Sequence, residues 1–73
     1  MIEVRFFSTL REGRGKSTQV PADEASTAGD LLRRFEIPAE EVAILLINGF
    51  HSKPEDAVKD GDGISLFPPV GGG

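Results

Sequence analysis

The chain contains no cysteine. Disulfides, thiolate metal sites, thiol redox chemistry and a cysteine nucleophile are therefore all excluded. Its single histidine, His51, has no second imidazole or thiol to complete a ligand set. It reads as a surface side chain, and no metal site is expected. No apolar stretch approaches the roughly 18 residues that a membrane-crossing helix needs. The opening Met1-Ile2-Glu3-Val4-Arg5 lacks the charged start, apolar run and small-residue cleavage site of a secretion signal, so a cytoplasmic location with no membrane contact is expected. Positive charge is also scarce, with eight Lys and Arg against twelve Asp and Glu for a net charge of -4. The basic residues are scattered rather than gathered in a stripe, so nucleic acid is not an expected partner. Neither a phosphate-cradling glycine loop nor paired catalytic carboxylates are present. Glu40-Glu41 and Asp60/Asp62 read as solvated turns, because nothing places a nucleophile beside them.

What remains is a 73-residue chain, 38% hydrophobic and 27% charged. That composition is globular, and the length allows one small core and no second one. Ile2, Val4 and Phe6 alternate with Glu3, Arg5 and Phe7, the period of a half-buried strand. Phe7 is an aromatic on the face that should be wet. Arg11-Glu12-Gly13-Arg14-Gly15-Lys16 reads as a flexible, mostly basic hairpin loop leading to a shorter strand over Thr18-Gln19-Val20. From Ser26 to Phe35 the spacing predicts a helix, with Ala28, Leu31, Leu32 and Phe35 on one face and Thr27-Ala28-Gly29-Asp30 as a capping box. Pro38 is expected to stop it. The run Val42-Ala43-Ile44-Leu45-Leu46-Ile47 suits a central strand covered on at least part of both faces. Asn48-Gly49 is a strong hairpin signal, leaving Phe50-His51 as a stub of returning strand. The turn at Lys59-Asp60-Gly61-Asp62-Gly63 introduces a last strand, Ile64-Ser65-Leu66-Phe67, which Pro68-Pro69 ends because neither proline can donate to a ladder. Strand, strand, helix, strand, short strand, strand is an α+β mixed sheet of four to five strands with one main helix, the β-grasp arrangement. Residues 1–69 form the domain, and 70–73 are expected to be a flexible tail. A monomer is expected when the chain is free.

The tail, Val70-Gly71-Gly72-Gly73, ends in three glycines held off the body by Pro68 and Pro69. It fits a frayed terminus. It equally fits a segment that threads a narrow channel, because residues without Cβ pass where side chains would jam. Four extended residues beyond Pro69 reach roughly 13 to 14 Å, enough to carry a terminal carboxylate into another protein's active site.

Three segments carry a family resemblance. The stretch from Lys59 to Gly73, with Lys-Asp-Gly-Asp, a strand and then Pro-Pro-Val-Gly-Gly-Gly, resembles the C-terminal signature of the MoaD family of molybdopterin synthase small subunits, Pro-Pro-Val-x-Gly-Gly. Phe6-Phe7-Ser8-Thr9-Leu10-Arg11-Glu12 is similar to that family's Phe-(Phe/Ala)-x-x-Leu-Arg-Glu, and Leu46-Ile47-Asn48-Gly49 to its Val-Asn-Gly turn. MoaD and its thiamine-pathway relative ThiS are β-grasp sulfur carriers. The resemblance implies that the chain is not an enzyme but the substrate of one. A ubiquitin-activating-type adenylating enzyme (MoeB/ThiF-like) would use ATP to convert the Gly73 carboxylate to an acyl-adenylate, and a persulfide donor would leave a Gly73 thiocarboxylate. No cofactor would be bound by the carrier itself. A large synthase subunit (MoaE-like) would be the second partner, with sulfur passing to a molybdopterin precursor. The partner-binding residues so implied are Gly72, Gly71, Val70, Pro69, Pro68, Phe67, Phe7 and Arg11. Phe67 matches the aromatic that MoaD proteins present to their partners, and its alternation away from Ile64 and Leu66 favours exposed docking over core. Phe7 either shares that patch or packs under a loop. Arg11 is either a solvated loop residue or a contact for a partner's carboxylates. Gly71 stands where MoaD often carries Ala or Ser, and a triple glycine also suits ThiS, carriers for tungsten cofactor or amino-acid biosynthesis, and ubiquitin-like protein modifiers. Phe67-Pro68-Pro69-Val70 favours MoaD over ThiS. A plain interaction module with an inert tail is the remaining alternative.

Overall fold

The computed structural model describes residues 1–69; the expectation of a tail at 70–73, with its candidate residues Val70, Gly71, Gly72 and Gly73, lies outside them. Five strands, β1 (Ile2–Phe6), β2 (Ser17–Val20), β3 (Ile44–Ile47), β4 (Phe50–His51) and β5 (Gly63–Phe67), and one helix, α1 (Ala28–Arg34), are joined by three short 3-10 turns at Ser8–Arg11, Ala22–Glu24 and Ala39–Glu41. The sheet order is β2-β1-β5-β3-β4. β1 runs parallel to β5 and every other pairing is antiparallel. This mixed sheet with one helix is the β-grasp fold.

Alternation in β1 and β5 builds the inner face. Ile2, Val4 and Phe6 are fully buried, as are Ile64 and Leu66, and the parallel register sets Val4 beside Ile64 and Phe6 beside Leu66. Helix α1 closes this face with Ala28, Leu31 and Leu32, and Phe35 meets Phe6 edge to face at 5.0 Å between centroids. The capping box forms as the residues require: the Asp30 N–H donates to Thr27 Oγ1, and the Asp30 carboxylate accepts from the Thr27 and Ser26 N–H groups. The next two donors of the helix start, Ala28 and Gly29, reach the Asp56 and Pro54 carbonyls. The 53–58 segment is thereby strapped across the helix N-terminus, and a Cβ at Gly29 would press on the Pro54 carbonyl at 3.2 Å.

Four features differ from the sequence expectation. The helix is shorter than 26–35 and Pro38 does not end it. Glu36 adopts left-handed backbone at φ 58°, so the Glu36 N–H returns to the Arg33 carbonyl and that of Ile37 to Leu32. This is a Schellman ending with a glutamate in the position that usually holds glycine. The apolar run 42–47 is a strand only from Ile44, and β5 takes the central place instead. With a single helix on the sheet, Leu45 faces the core while Ile44, on the uncovered side, is 39% exposed. The loop after β1 is tied down, not free: Arg14 donates from Nη1 to the Leu10 carbonyl and from Nε and Nη2 to the Phe35 carbonyl at the helix end. Asp62, finally, is buried at 6% exposure rather than solvated. It accepts from Asn48 Nδ2 and the Lys59 N–H, each at 2.9 Å, while Asn48 Oδ1 accepts from the Gly63 N–H. Asn48 can present its amide this way because it occupies left-handed backbone in its two-residue turn, at φ 53° with Gly49 at 86°. Asp60, by contrast, is exposed and pairs with the Met1 ammonium.

Candidate functional site

The uncovered face of the sheet is assembled by register. Arg5 lies opposite Ser65, Ser65 opposite Leu46, and Leu46 opposite His51. One step toward the C-terminal end of β5, Phe67 lies opposite Ile44. Paired residues of adjacent strands share a face, so Ile44, Leu46 and Phe67 form an apolar strip with Arg5 and His51 at its sides. The Phe7 N–H donates to the Leu66 carbonyl, and the Ala43 N–H to that of Phe67 at 2.8 Å. These bonds hold both flanks of the β5 end, from which Pro68 and Pro69 lead out.

Phe7 and Phe67 stack there, with ring centroids 4.2 Å apart and planes 11° from parallel. Ser8, at φ 55°, turns the chain sharply after Phe7 into the 3-10 turn, which brings Arg11 back over the strand it has just left. Arg11 Nε donates to the Phe6 carbonyl at 2.9 Å, and the guanidinium lies 5.6 Å from the Phe7 ring centroid. Phe7 contacts both Phe67 and Arg11; the two rings are half-buried and Arg11 is exposed. Phe67, Phe7 and Arg11, separated by up to sixty positions in sequence, are thus adjacent. Pro68 is half-buried and Pro69 exposed at the root of the tail. The alternatives left open for these residues narrow accordingly: Phe7 packs on the open face against Phe67, and Phe67 is neither a core residue nor fully exposed. Ile44, Leu46 and Ser8 join the site without having been singled out. Alternation within 42–47 set against Phe67 would have found the first two.

The rest of the described surface offers little chemistry. His51 is exposed, and no group of three or more His, Cys, Asp or Glu among the described residues could hold a metal. The two carboxyls held below their ordinary range are structural. Asp62 is lowered first by the Asn48 amide and then by the Lys59 N–H, and Asp30 by the Ser26 and Thr27 N–H groups of its capping box. Among the described residues no helix is long and apolar enough to cross a membrane.

A β-grasp domain whose central strand runs through a flat aromatic pair into Pro-Pro and a triple-glycine end is built as a small ubiquitin-like carrier or modifier. Comparison with known proteins makes the assignment specific. The ThiS family model matches residues 4–73. The chain is 37% identical over 90 aligned positions to small archaeal modifier protein 3 of Haloferax volcanii, covering 99% of this chain and 98% of that one. The crystal structure of SAMP1 from the same organism superposes with a TM-score of 0.75 at 28% identity, covering 99% and 98% of the two chains. A complex of subunits 1 and 2 of molybdopterin-converting factor from Helicobacter pylori 26695 contains a chain that superposes with a TM-score of 0.64 at 28% identity, covering 99% and 97%. The protein belongs to the ThiS family of ubiquitin-like sulfur carriers and modifiers, which are carrier proteins rather than catalysts.

Proposed function

We propose that this protein is a sulfur carrier whose Gly73 carboxylate is adenylated and converted to a thiocarboxylate that donates sulfur in molybdopterin biosynthesis. The observation that carries the reading is the Phe7–Phe67 stack, set at the root of the tail and continuous with Ile44 and Leu46. A half-buried aromatic pair on an otherwise uncovered sheet face is the kind of anchor that dominates protein–protein interfaces, and here it adjoins the only segment ending in three glycines. The docked partner is an adenylating enzyme of the ubiquitin-activating type (MoeB/ThiF-like), then a larger synthase subunit (MoaE-like). Phe67, Phe7, Pro68 and Pro69 form the docking face, with Arg11 beside Phe7 at its edge, and Val70, Gly71 and Gly72 pass into the partner's channel.

The chemistry needs no catalytic group from this chain. A carboxylate is a poor electrophile. Its attack on the α-phosphorus of ATP, with loss of pyrophosphate, makes AMP a leaving group. A persulfide's terminal sulfur then displaces AMP to give an acyl disulfide, and a second thiol of the partner attacks the inner sulfur, releasing the thiocarboxylate and leaving a disulfide behind. The carrier's lack of cysteine is consistent with sulfur held only at the C-terminus. A second reading, attachment of Gly73 to lysines of other proteins, is supported by the identity to a protein named as a modifier. Both share the adenylate and diverge at the nucleophile, sulfur or amine.

Intact-mass measurement after incubation with an adenylating partner, ATP and sulfide tests this. Exchange of one oxygen for sulfur supports the carrier, and covalent adducts with lysine-bearing proteins support the modifier. An unchanged mass would refute both.

A further inference from the structure

Arg11 is exposed and forms no ion pair among the described residues, which makes it look like a charge waiting for a partner's carboxylate. Its geometry argues otherwise. The Nε–H is already committed to the Phe6 carbonyl at 2.9 Å, and the guanidinium is laid over the Phe7 ring at 5.6 Å from its centroid, while the same ring stacks on Phe67 at 4.2 Å. Ser8 spends left-handed backbone, which L-residues other than Asn and Asp seldom adopt, to bring the 3-10 turn back to this place. A solvated arginine would need none of this.

We infer that Arg11 is a positioning residue that clamps Phe7 flat against Phe67, so that the aromatic pair at the tail root is formed before any partner arrives. The inference rests on the docking role proposed for that pair. An aromatic side chain free to leave its stack would have to be immobilised on binding, and a pre-formed pair avoids that cost. Arginine suits the position because its plane can stack while its Nε–H donates along the edge; lysine carries the same charge but has neither property.

The test compares Arg11→Ala, Arg11→Lys and Phe7→Leu, singly and with Arg11→Ala and Phe7→Leu combined. In the free protein, Arg11→Ala and Arg11→Lys should both shift the ring-proton resonances of Phe7 and Phe67 while the thermal midpoint stays close to that of the wild type. In adenylation assays both should raise KM for the carrier roughly three- to fivefold, the size expected from losing an exposed cation–π contact, with kcat unchanged. The effect of Arg11→Ala should disappear in the Phe7→Leu background. If Arg11→Lys restores the wild-type KM, or the Arg11→Ala effect persists without Phe7, then Arg11 is a direct charge contact and the inference fails. Unmoved ring resonances would overturn it without any partner present. A wild-type chain that is never adenylated would instead overturn the carrier reading, leaving the resonance shifts to decide the clamp.

Discussion

Truncating Phe67 to alanine separates docking from folding. The ring is half-buried, covered on one face by Phe7 at 4.2 Å, and it lies on the side of the sheet away from the Ile64 and Leu66 core. The fold should lose the stacking contact, about 0.5–1.5 kcal/mol, together with a fraction of the ring's burial, for a sum near 2 kcal/mol. That is well short of the 3–5 kcal/mol that a core Phe→Ala typically costs. At an interface the same truncation removes an anchor, for which losses of about 2 kcal/mol or more are usual, roughly thirtyfold in Kd. Chemical denaturation gives the first quantity. Titration calorimetry with the adenylating enzyme, done where the variant remains folded, gives the second. Phe7→Ala completes a cycle. Because either truncation dissolves the pair, the double variant should lose less affinity than the two single losses added together. The reasoning is refuted if Phe67→Ala costs core-sized stability while the folded fraction binds as the wild type does, or if the two truncations prove fully additive in binding.

Three further outcomes are expected. Deleting Gly73 should abolish thiocarboxylate formation without moving the thermal midpoint, and Gly72→Ala should slow adenylate formation far more than Gly71→Ala, because a Cβ beside the reacting end meets the wall of a channel that must exclude water; equal rates for the two alanine variants would make the tail a mere spacer. Glu36→Gly should stabilise the domain by about 0.5 kcal/mol, the left-handed strain relieved at φ 58° being partly offset by the greater entropy of glycine in the unfolded chain, and calorimetry should read this as about 2–4 °C in the midpoint. Asp62 and Asp30 are held below their ordinary pKa in the folded state, so the stability they contribute is fully present above the unfolded carboxyl value near 3.8 and is lost as pH falls through the lowered folded values; Asp62→Asn should be less stable at neutral pH yet show a shallower acid limb, and an unchanged limb would count against the assignment.

The alternation of Ile2, Val4 and Phe6, the Thr27–Asp30 box and Asn48-Gly49 are local signals, each satisfied within a few residues, and each formed as the pattern requires. What periodicity could not show is set by partners distant in sequence. Asp62 looks like a turn carboxylate until Asn48, fourteen residues away, turns its amide toward it. Glu36 carries no mark of a helix end, because tertiary burial of Leu32 and Ile37 imposes a left-handed backbone that its side chain does not favour. Val42 to Ile47 reads as covered on at least part of both faces because apolarity alone does not reveal that a single helix leaves one face of the sheet open. Phe7 and Phe67 could each be flagged as an aromatic on the wrong side of a strand. Their adjacency, however, follows from the parallel pairing of the first strand with the last, which no local pattern records.

That pairing also sets where Pro68 and Pro69 leave the sheet. β5 is the central strand, bonded to β1 on one side and β3 on the other, and its Ile64 and Leu66 are fully buried. Strands with buried residues and neighbours on both edges open only at free energies approaching that of global unfolding. Under the function proposed above, any pull on residues 70–73 would fall on this central strand of the sheet. The ladder is closed at its last rung by the Ala43 N–H on the Phe67 carbonyl, after which two prolines offer no further donor to extend it. The strand therefore ends at Phe67, beside the aromatic pair proposed to dock. A partner that grips Phe7 and Phe67 would hold the chain at the point where Pro68 leaves the sheet.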